Sequence, residues 1–253
     1  VRPEIYFGEW IPNSPPPIQM NPVQTPAVPG AQPPGGPGGA QPQQSDPLQL
    51  NPLAPEPVRS VEVPYAIVNT TTKEFDYPHA DSPVWSTYRG RGGVRISGLG
   101  RRLAFAWRFS SFQIVVSRYI TSHSRIIFNR EIIARARTIA PFLRYDDDAY
   151  LVVSHGRLYW IIDAYTLSQH FPYSQQTEPL GNYLRNSVKV VIDAYDGTTS
   201  FYRADQAIGR ADSVLETYTK VFPSLFKPLS KMPADLQRHL RYPQGLFAVQ
   251  ADV

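Results

Sequence analysis

No cysteine occurs in the 253 residues. That excludes disulfides, thiol catalysis, thiolate metal sites and iron–sulfur clusters. Cysteine usage alone leaves the compartment open. Charged residues make up only 18%, below the roughly 25% usual for soluble domains. Long hydrophobic runs are also missing. The run Leu103-Ala104-Phe105-Ala106-Trp107 stops at Arg108, whereas a spanning helix needs about 20 apolar residues. Val1 opens no signal-peptide pattern. The histidines, His79, His123, His155, His170 and His239, never fall at His-x-x-x-His spacing, so a zinc motif is absent. There is no Gly-x-Ser-x-Gly elbow. Gly90-Arg91-Gly92-Gly93 lacks the Lys-Ser/Thr of a phosphate loop and reads as a turn. No metal site and no cofactor is expected. Nucleic acid is not expected either, because no recognition-helix or RNA-binding signature is present and the pI of about 9.2 is modest.

What the chain has in excess is proline, 26 residues, about twice ordinary usage. Residues 1–60 hold 16 of them. Pro33-Pro34-Gly35-Gly36-Pro37-Gly38-Gly39 excludes a helix and a central strand. Residues 11–60 therefore read as a Pro/Gly-rich extended linker or docking segment. A short N-terminal segment, residues 1–10, precedes it, and residues 61–253 form the globular part. At 42% hydrophobic residues the chain can bury a core.

Within the globular part, Tyr65-Ala66-Ile67-Val68-Asn69 reads as a short strand. Helical spacing predicts one helix over Leu99–Phe109 and a second over residues 124–140, capped by Ser124 and stopped by Pro141. The period then switches to two. Residues 150–153 and 157–165 flank His155-Gly156, and residues 187–195 and 198–203 flank Asp196-Gly197, so two hairpins are predicted. Helices over Ser213–Val221, with Asp212 as cap, and over residues 234–240, after Pro233, close the chain. The fold class is α+β: an antiparallel sheet of about five or six strands built from β-hairpins, with helices packed on one face.

Two features suggest chemistry. Between Arg89 and Arg144 stand twelve arginines, no lysine and one acid, Glu131. That segment carries +11 in a chain of +4, leaving −7 on the remainder. Guanidinium groups grip phosphate and carboxylate, so Arg101, Arg102, Arg135 and Arg137 are candidates for binding an anionic partner. The bland alternative is that the arginines are solvated or paired with acids such as Asp146-Asp147-Asp148. The second feature is an echo between Ile161-Ile162-Asp163-Ala164-Tyr165 and Val191-Ile192-Asp193-Ala194-Tyr195. If the hairpins are neighbours, Asp163 and Asp193 could converge with Tyr165 and Tyr195 for acid–base work or hard-cation binding. Against this, aspartates at strand ends commonly bond turn amides.

Several runs also resemble a known family. They include Arg2-Pro3-Glu4-Ile5-Tyr6-Phe7-Gly8-Glu9, Gly100-Arg101-Arg102-Leu103-Ala104-Phe105-Ala106, Tyr159-Trp160-Ile161-Ile162-Asp163-Ala164-Tyr165 and Asn186-Ser187-Val188-Lys189-Val190-Val191-Ile192-Asp193-Ala194-Tyr195-Asp196-Gly197. Together with Phe222-Pro223-Ser224-Leu225-Phe226-Lys227, they resemble uncharacterised protein family 0182 of bacterial multi-pass integral membrane proteins. The resemblance implies N-terminal membrane helices followed by an extracytoplasmic domain, of which this chain is part. It implies membrane-associated partners and a place on the extracytoplasmic face of a bacterial membrane. It implies no catalytic residues. Three functions stay open: a non-enzymatic interaction or scaffold domain docking on membrane protein partners, a binder of anionic lipid or envelope polymer through residues 89–144, and an enzyme using Asp163 and Asp193.

Overall fold

The computed structural model describes residues 5–8, 64–79, 82–176, 181–205 and 211–251. The Pro/Gly-rich segment 11–60 lies outside the described residues. The described chain runs β1 (Tyr65–Val68), β2 (Glu74–His79), β3 (Ser82–Ser86), β4 (Val94–Arg95), α1 (Leu99–Phe109), α2 (Gln113–Val116), β5 (Arg125–Phe128) and α3 (Ile132–Ile139). It continues with β6 (Arg144–Tyr145), β7 (Tyr150–Ser154), β8 (Arg157–Ser168), β9 (Tyr183–Asp193), β10 (Thr199–Arg203), α4 (Ser213–Val221), β11 (Phe226–Pro228), α5 (Ala234–Arg238) and α6 (Gln244–Ala251).

Two long antiparallel strands, β8 and β9, form the spine of the main sheet, whose order is β11-β10-β9-β8-β6. The short strands β6 and β7 lie end to end on the outer edge of β8. β11 joins β10 in parallel, Phe201 opposite Phe226. The spine is apolar on both faces. Ile162, Val188, Val190 and Ile192 point to one core, shared with Ile132 and Ala136 of α3 and Leu215 of α4. Ile161 and Val191 point the other way, onto Tyr150, Val152, Tyr202, Met232 and Leu236 of α5. A strand covered on both sides reads as a continuous apolar run rather than an alternation. The architecture is α+β, with α3 and α4 on one face and a second cover, built from α5 and the turn before it, on the other.

The hairpin turns follow from backbone chemistry. His155 and Gly156 both take positive φ, 48° and 75°, as a two-residue type I′ turn requires. The second hairpin closes through a four-residue loop instead: Asp193 pairs with Thr198, and only Gly197 takes positive φ, 67°. Gly197 is also a place of close approach. A Cβ there would lie 2.3 Å from the Phe7 ring.

A second small sheet, β1-β5-β4, carries its own core. Ile96, Ile114, Ile120 and Ile126 pack beneath Phe105, Ala106 and Phe109 of α1. The predicted helix over residues 124–140 is therefore corrected. Its first third is strand β5, whose neighbours Ile126 and Ile127 bury into different cores. β-Branched pairs suit a strand facing two ways. Asn129 then turns the chain with φ 51°, and the helix begins only at Ile132. Its cap is Glu131, whose carboxylate accepts from the Ile133 amide at 2.7 Å and from the Ala134 amide. Ser124 is no cap; its hydroxyl donates to the Asn69 carbonyl at 2.7 Å.

Asp212 is the expected cap of α4, and it does more. Besides the Val214 and Leu215 amides it receives hydroxyls from Tyr183, Thr166 and Ser187. Burial alone would raise its pKa. The Ser187, Thr166 and Tyr183 hydroxyls and the Leu215 amide outweigh that and hold it below the ordinary aspartate range. A depressed folded pKa stabilises above the unfolded value and is lost as pH falls through the folded one. Stability should therefore drop below about pH 4. Asp212→Asn should cost about 3 kcal/mol at pH 7 and flatten that acid slope. Urea titrations between pH 2.5 and 7 check both.

Candidate docking face and the fate of the predicted site residues

Asp163 and Asp193 do not meet. In the register of the β8–β9 pair, Asp163 faces Lys189 while Asp193 faces Tyr159. Four residues of strand separate them, about 13 Å. Each has a structural partner. Asp193 Oδ1 accepts the amides of Tyr195 and Asp196, both at 2.9 Å, and its Oδ2 accepts Arg157 at 2.6 Å. Arg157 reaches Asp196 as well, at 3.0 Å. Asp196 in turn accepts the Arg91 amide at 2.8 Å, so this cluster ties the loop to the segment before β4.

Asp163 pairs with the Lys189 ammonium on the face covered by α5, and Asn186 donates to the same carboxylate oxygen at 3.1 Å. Burial pushes the Asp163 carboxyl above the ordinary range, against the pull of Lys189 and Asn186. Tyr165 shares this face, as period two requires, and donates to Asp146. Asp146 is lowered. Burial works against it, and the Tyr165 hydroxyl with the amides of Gly245, Asp148 and Asp147 overcomes that. The Gly245 amide at 2.9 Å and the Arg241 carbonyl above Lys189 hold the C-terminal segment over the cluster. Among the described residues no group of three or more His, Cys, Asp or Glu could hold a metal.

The arginines divide by what they touch. Arg102 donates to the Ile96 and Ile120 carbonyls, both at 3.0 Å, and so pins α1 to its own lobe. Arg135 donates to the Gly197 carbonyl at 2.8 Å and stacks over Phe7, its centre 4.7 Å from the ring centroid. Burial lowers its pKa. Arg125 spans the carbonyls of Arg91, Gly92 and Gly93. These guanidinium groups are taken by backbone carbonyls rather than by the acids of the remainder. Arg101 and Arg137 are exposed, on α1 and α3. Arg101 touches the Arg95 carbonyl at 3.2 Å. The four candidates thus do not make one cluster: Arg101 and Arg102 belong to the α1 lobe, Arg135 and Arg137 to α3.

The sequence reading missed an exposed apolar stripe on the same lobe as Arg101 and Arg102. α1 has no buried residue. Its inner side lays Phe105, Ala106 and Phe109 on the isoleucine core. Its outer side shows Leu99, Leu103 and Trp107, at 64%, 50% and 89% exposure. Spacing of four puts these on one stripe about 12 Å long. Phe112 beside α2, Val116 on it and Tyr119 beyond it are exposed as well. Arg101 and Arg108 are exposed on α1, about 140–160° around the helix from Leu103, and Arg118 follows α2. No ion pair joins these three to a carboxylate among the described residues. The signal was available in the text: Leu99, Leu103 and Trp107 at spacing four fall on a different side of the helix from Phe105 and Phe109, which one-sided burial does not require.

The described structure is thus a mixed α+β domain whose Asp163 and Asp193 are tied into its own frame and whose α1 carries an exposed apolar stripe. The family model that matches residues 60–253 is the uncharacterised protein family UPF0182, and the chain belongs to that family. Its relatives include UPF0182 proteins of Cupriavidus necator, 53% identical over 190 residues, and of Sulfurovum sp., 50% identical over 192 residues. A third, from Pelotomaculum thermopropionicum, is 48% identical over 187 residues. These alignments cover 75%, 74% and 74% of this chain and 20% of each relative. The chain thus spans about a fifth of the length of the curated relatives it matches. No solved structure matches it. No described helix is long and apolar enough to cross a membrane.

The structural role of the Asp163–Lys189 pair is testable. Lys189→Met leaves a buried carboxylate without its cation and should destabilise by about 3–5 kcal/mol. The double change Asp163→Leu/Lys189→Met should recover most of that. Denaturant midpoints decide; a double variant no more stable than the single one contradicts a purely structural pair.

Proposed function

We propose that this part of the chain is a non-enzymatic docking module of a membrane-associated bacterial protein, working on the extracytoplasmic face, with the α1–α2 lobe as its contact surface. The observation that carries the reading is α1. A helix that lays aromatic residues on its own core and shows Leu99, Leu103 and Trp107 to the outside has two apolar sides. Burying a leucine-sized side chain stabilises by about 1.5–3 kcal/mol, so such a stripe favours being covered. The enzymatic alternative is weakened by the same structure. Asp193 is occupied by turn amides and Arg157, and Asp163 by Lys189 and Asn186. The resemblance to membrane proteins supports the location. Family membership itself supplies no activity.

The test uses right-side-out bacterial membrane vesicles and the 253-residue chain. The wild type should pellet with the vesicles. Leu103→Glu/Trp107→Glu should stay in the supernatant while melting at the same temperature, because neither side chain is part of a core. Equal pelleting of both proteins, or of neither, would contradict the proposal.

A further inference from the structure

We infer that the partner of the α1–α2 face is lipid itself: the anionic headgroup layer of a bilayer, with α1 lying in the plane of the interface. The inference rests on the docking reading above and names the occupant. Three observations carry it. The first is shape. The face is a convex helix rather than a groove, and a side chain added at Gly98 or Gly100 would meet no atom within 4 Å. Among the described residues the N-terminal end of the stripe is open. Half of α1 sits on the lobe's own core and half is outside, which suits burial to a depth of about 5–10 Å at the headgroup boundary.

The second is residue type and order. Leu99 and Leu103 run along the stripe, Trp107 is 89% exposed near its end, and Tyr119, 50% exposed, lies beyond α2. Trp and Tyr favour the interface, where an apolar ring body and a polar tip are both satisfied. The third is charge. Arg101 and Arg108 are exposed on α1 and Arg118 follows α2. The sole acid between Arg89 and Arg144 is Glu131, and its carboxylate is taken by the first amides of α3. Between Arg89 and Arg144 the lobe therefore offers exposed cations as well as an apolar stripe, with no free carboxylate in that segment. Anionic phosphate headgroups above acyl chains complement both at once. A purely apolar protein partner would match the stripe and leave the guanidinium groups unmatched.

The experiment is co-sedimentation of the 253-residue chain with protein-free liposomes. They are made of phosphatidylcholine alone or with phosphatidylglycerol, at about 50 and about 300 mM salt. Binding is expected only with phosphatidylglycerol present, and should weaken at least tenfold, in rough terms, at the higher salt. Leu103→Glu/Trp107→Glu should weaken it about a hundredfold. Arg101→Gln/Arg108→Gln should weaken it and flatten the salt dependence. Thermal melts confirm that each variant is folded. Binding to right-side-out bacterial vesicles without binding to any liposome would overturn the lipid assignment, leave the docking reading standing and point to a membrane protein. Binding to neither would overturn both. Equal binding to both liposome types would remove the electrostatic half of the inference. A dimer abolished by Leu103→Glu/Trp107→Glu, without liposome binding, would give the face to a second copy of the chain and overturn the inference.

Discussion

Two strands that are apolar on both faces have to be covered on both faces, and most of this structure is a solution to that constraint. β8 and β9 place Ile162 and Val190 on one side and Ile161 and Val191 on the other. Helices α3 and α4 close the first side, and α5 with the turn before it closes the second. The segment at residues 5–8 serves the same end. Phe7 enters the first core, and its backbone carbonyl accepts the Trp160 indole at 2.9 Å. The sheet is covered on both faces among the described residues. Its polar side chains are spent on closing the fold.

That spending explains why aspartates that look paired in the sequence are apart in space. The repeated Ile-Asp-Ala-Tyr places Asp163 in mid-strand and Asp193 at a strand end. In mid-strand the only economical partner is the residue directly across, and Lys189 is there. At the strand end Asp193 takes the turn amides of Tyr195 and Asp196 on one oxygen and Arg157 on the other. Identical local text gives different chemistry because the neighbours differ.

Much of the fold was legible in the residues. The His155-Gly156 turn, the two hairpins, α1 and the Asp212 cap follow from local rules that tertiary packing did not oppose. The helix expected over residues 124–140 failed at its start, where Ile126 and Ile127 serve two cores and helical spacing cannot be told from a buried strand. Strand β11, with Pro228 at its end, and helix α6 carry weak local signals and were not read. The charge block between Arg89 and Arg144 was visible. Its division into arginines that hold backbone carbonyls, such as Arg102 and Arg135, and exposed ones, such as Arg101 and Arg108, was not. That division depends on which carbonyls the fold leaves without partners. The exposure of Leu99, Leu103 and Trp107 was not legible, because sequence spacing identifies an apolar face without saying what covers it.

The central claim is that the outer side of α1 is a contact surface at a membrane. The absence of cysteine makes one measurement direct. Single cysteines at Leu103, Trp107 and Val153 are labelled with an environment-sensitive fluorophore and read with and without right-side-out bacterial vesicles. Val153 is 52% exposed on β7, a strand of the main sheet rather than of the α1 lobe, so it serves as the control position. The account requires labels at 103 and 107 to shift to an apolar environment on adding vesicles while the label at 153 does not change. A shift at 153 with none at 103 and 107 would contradict it.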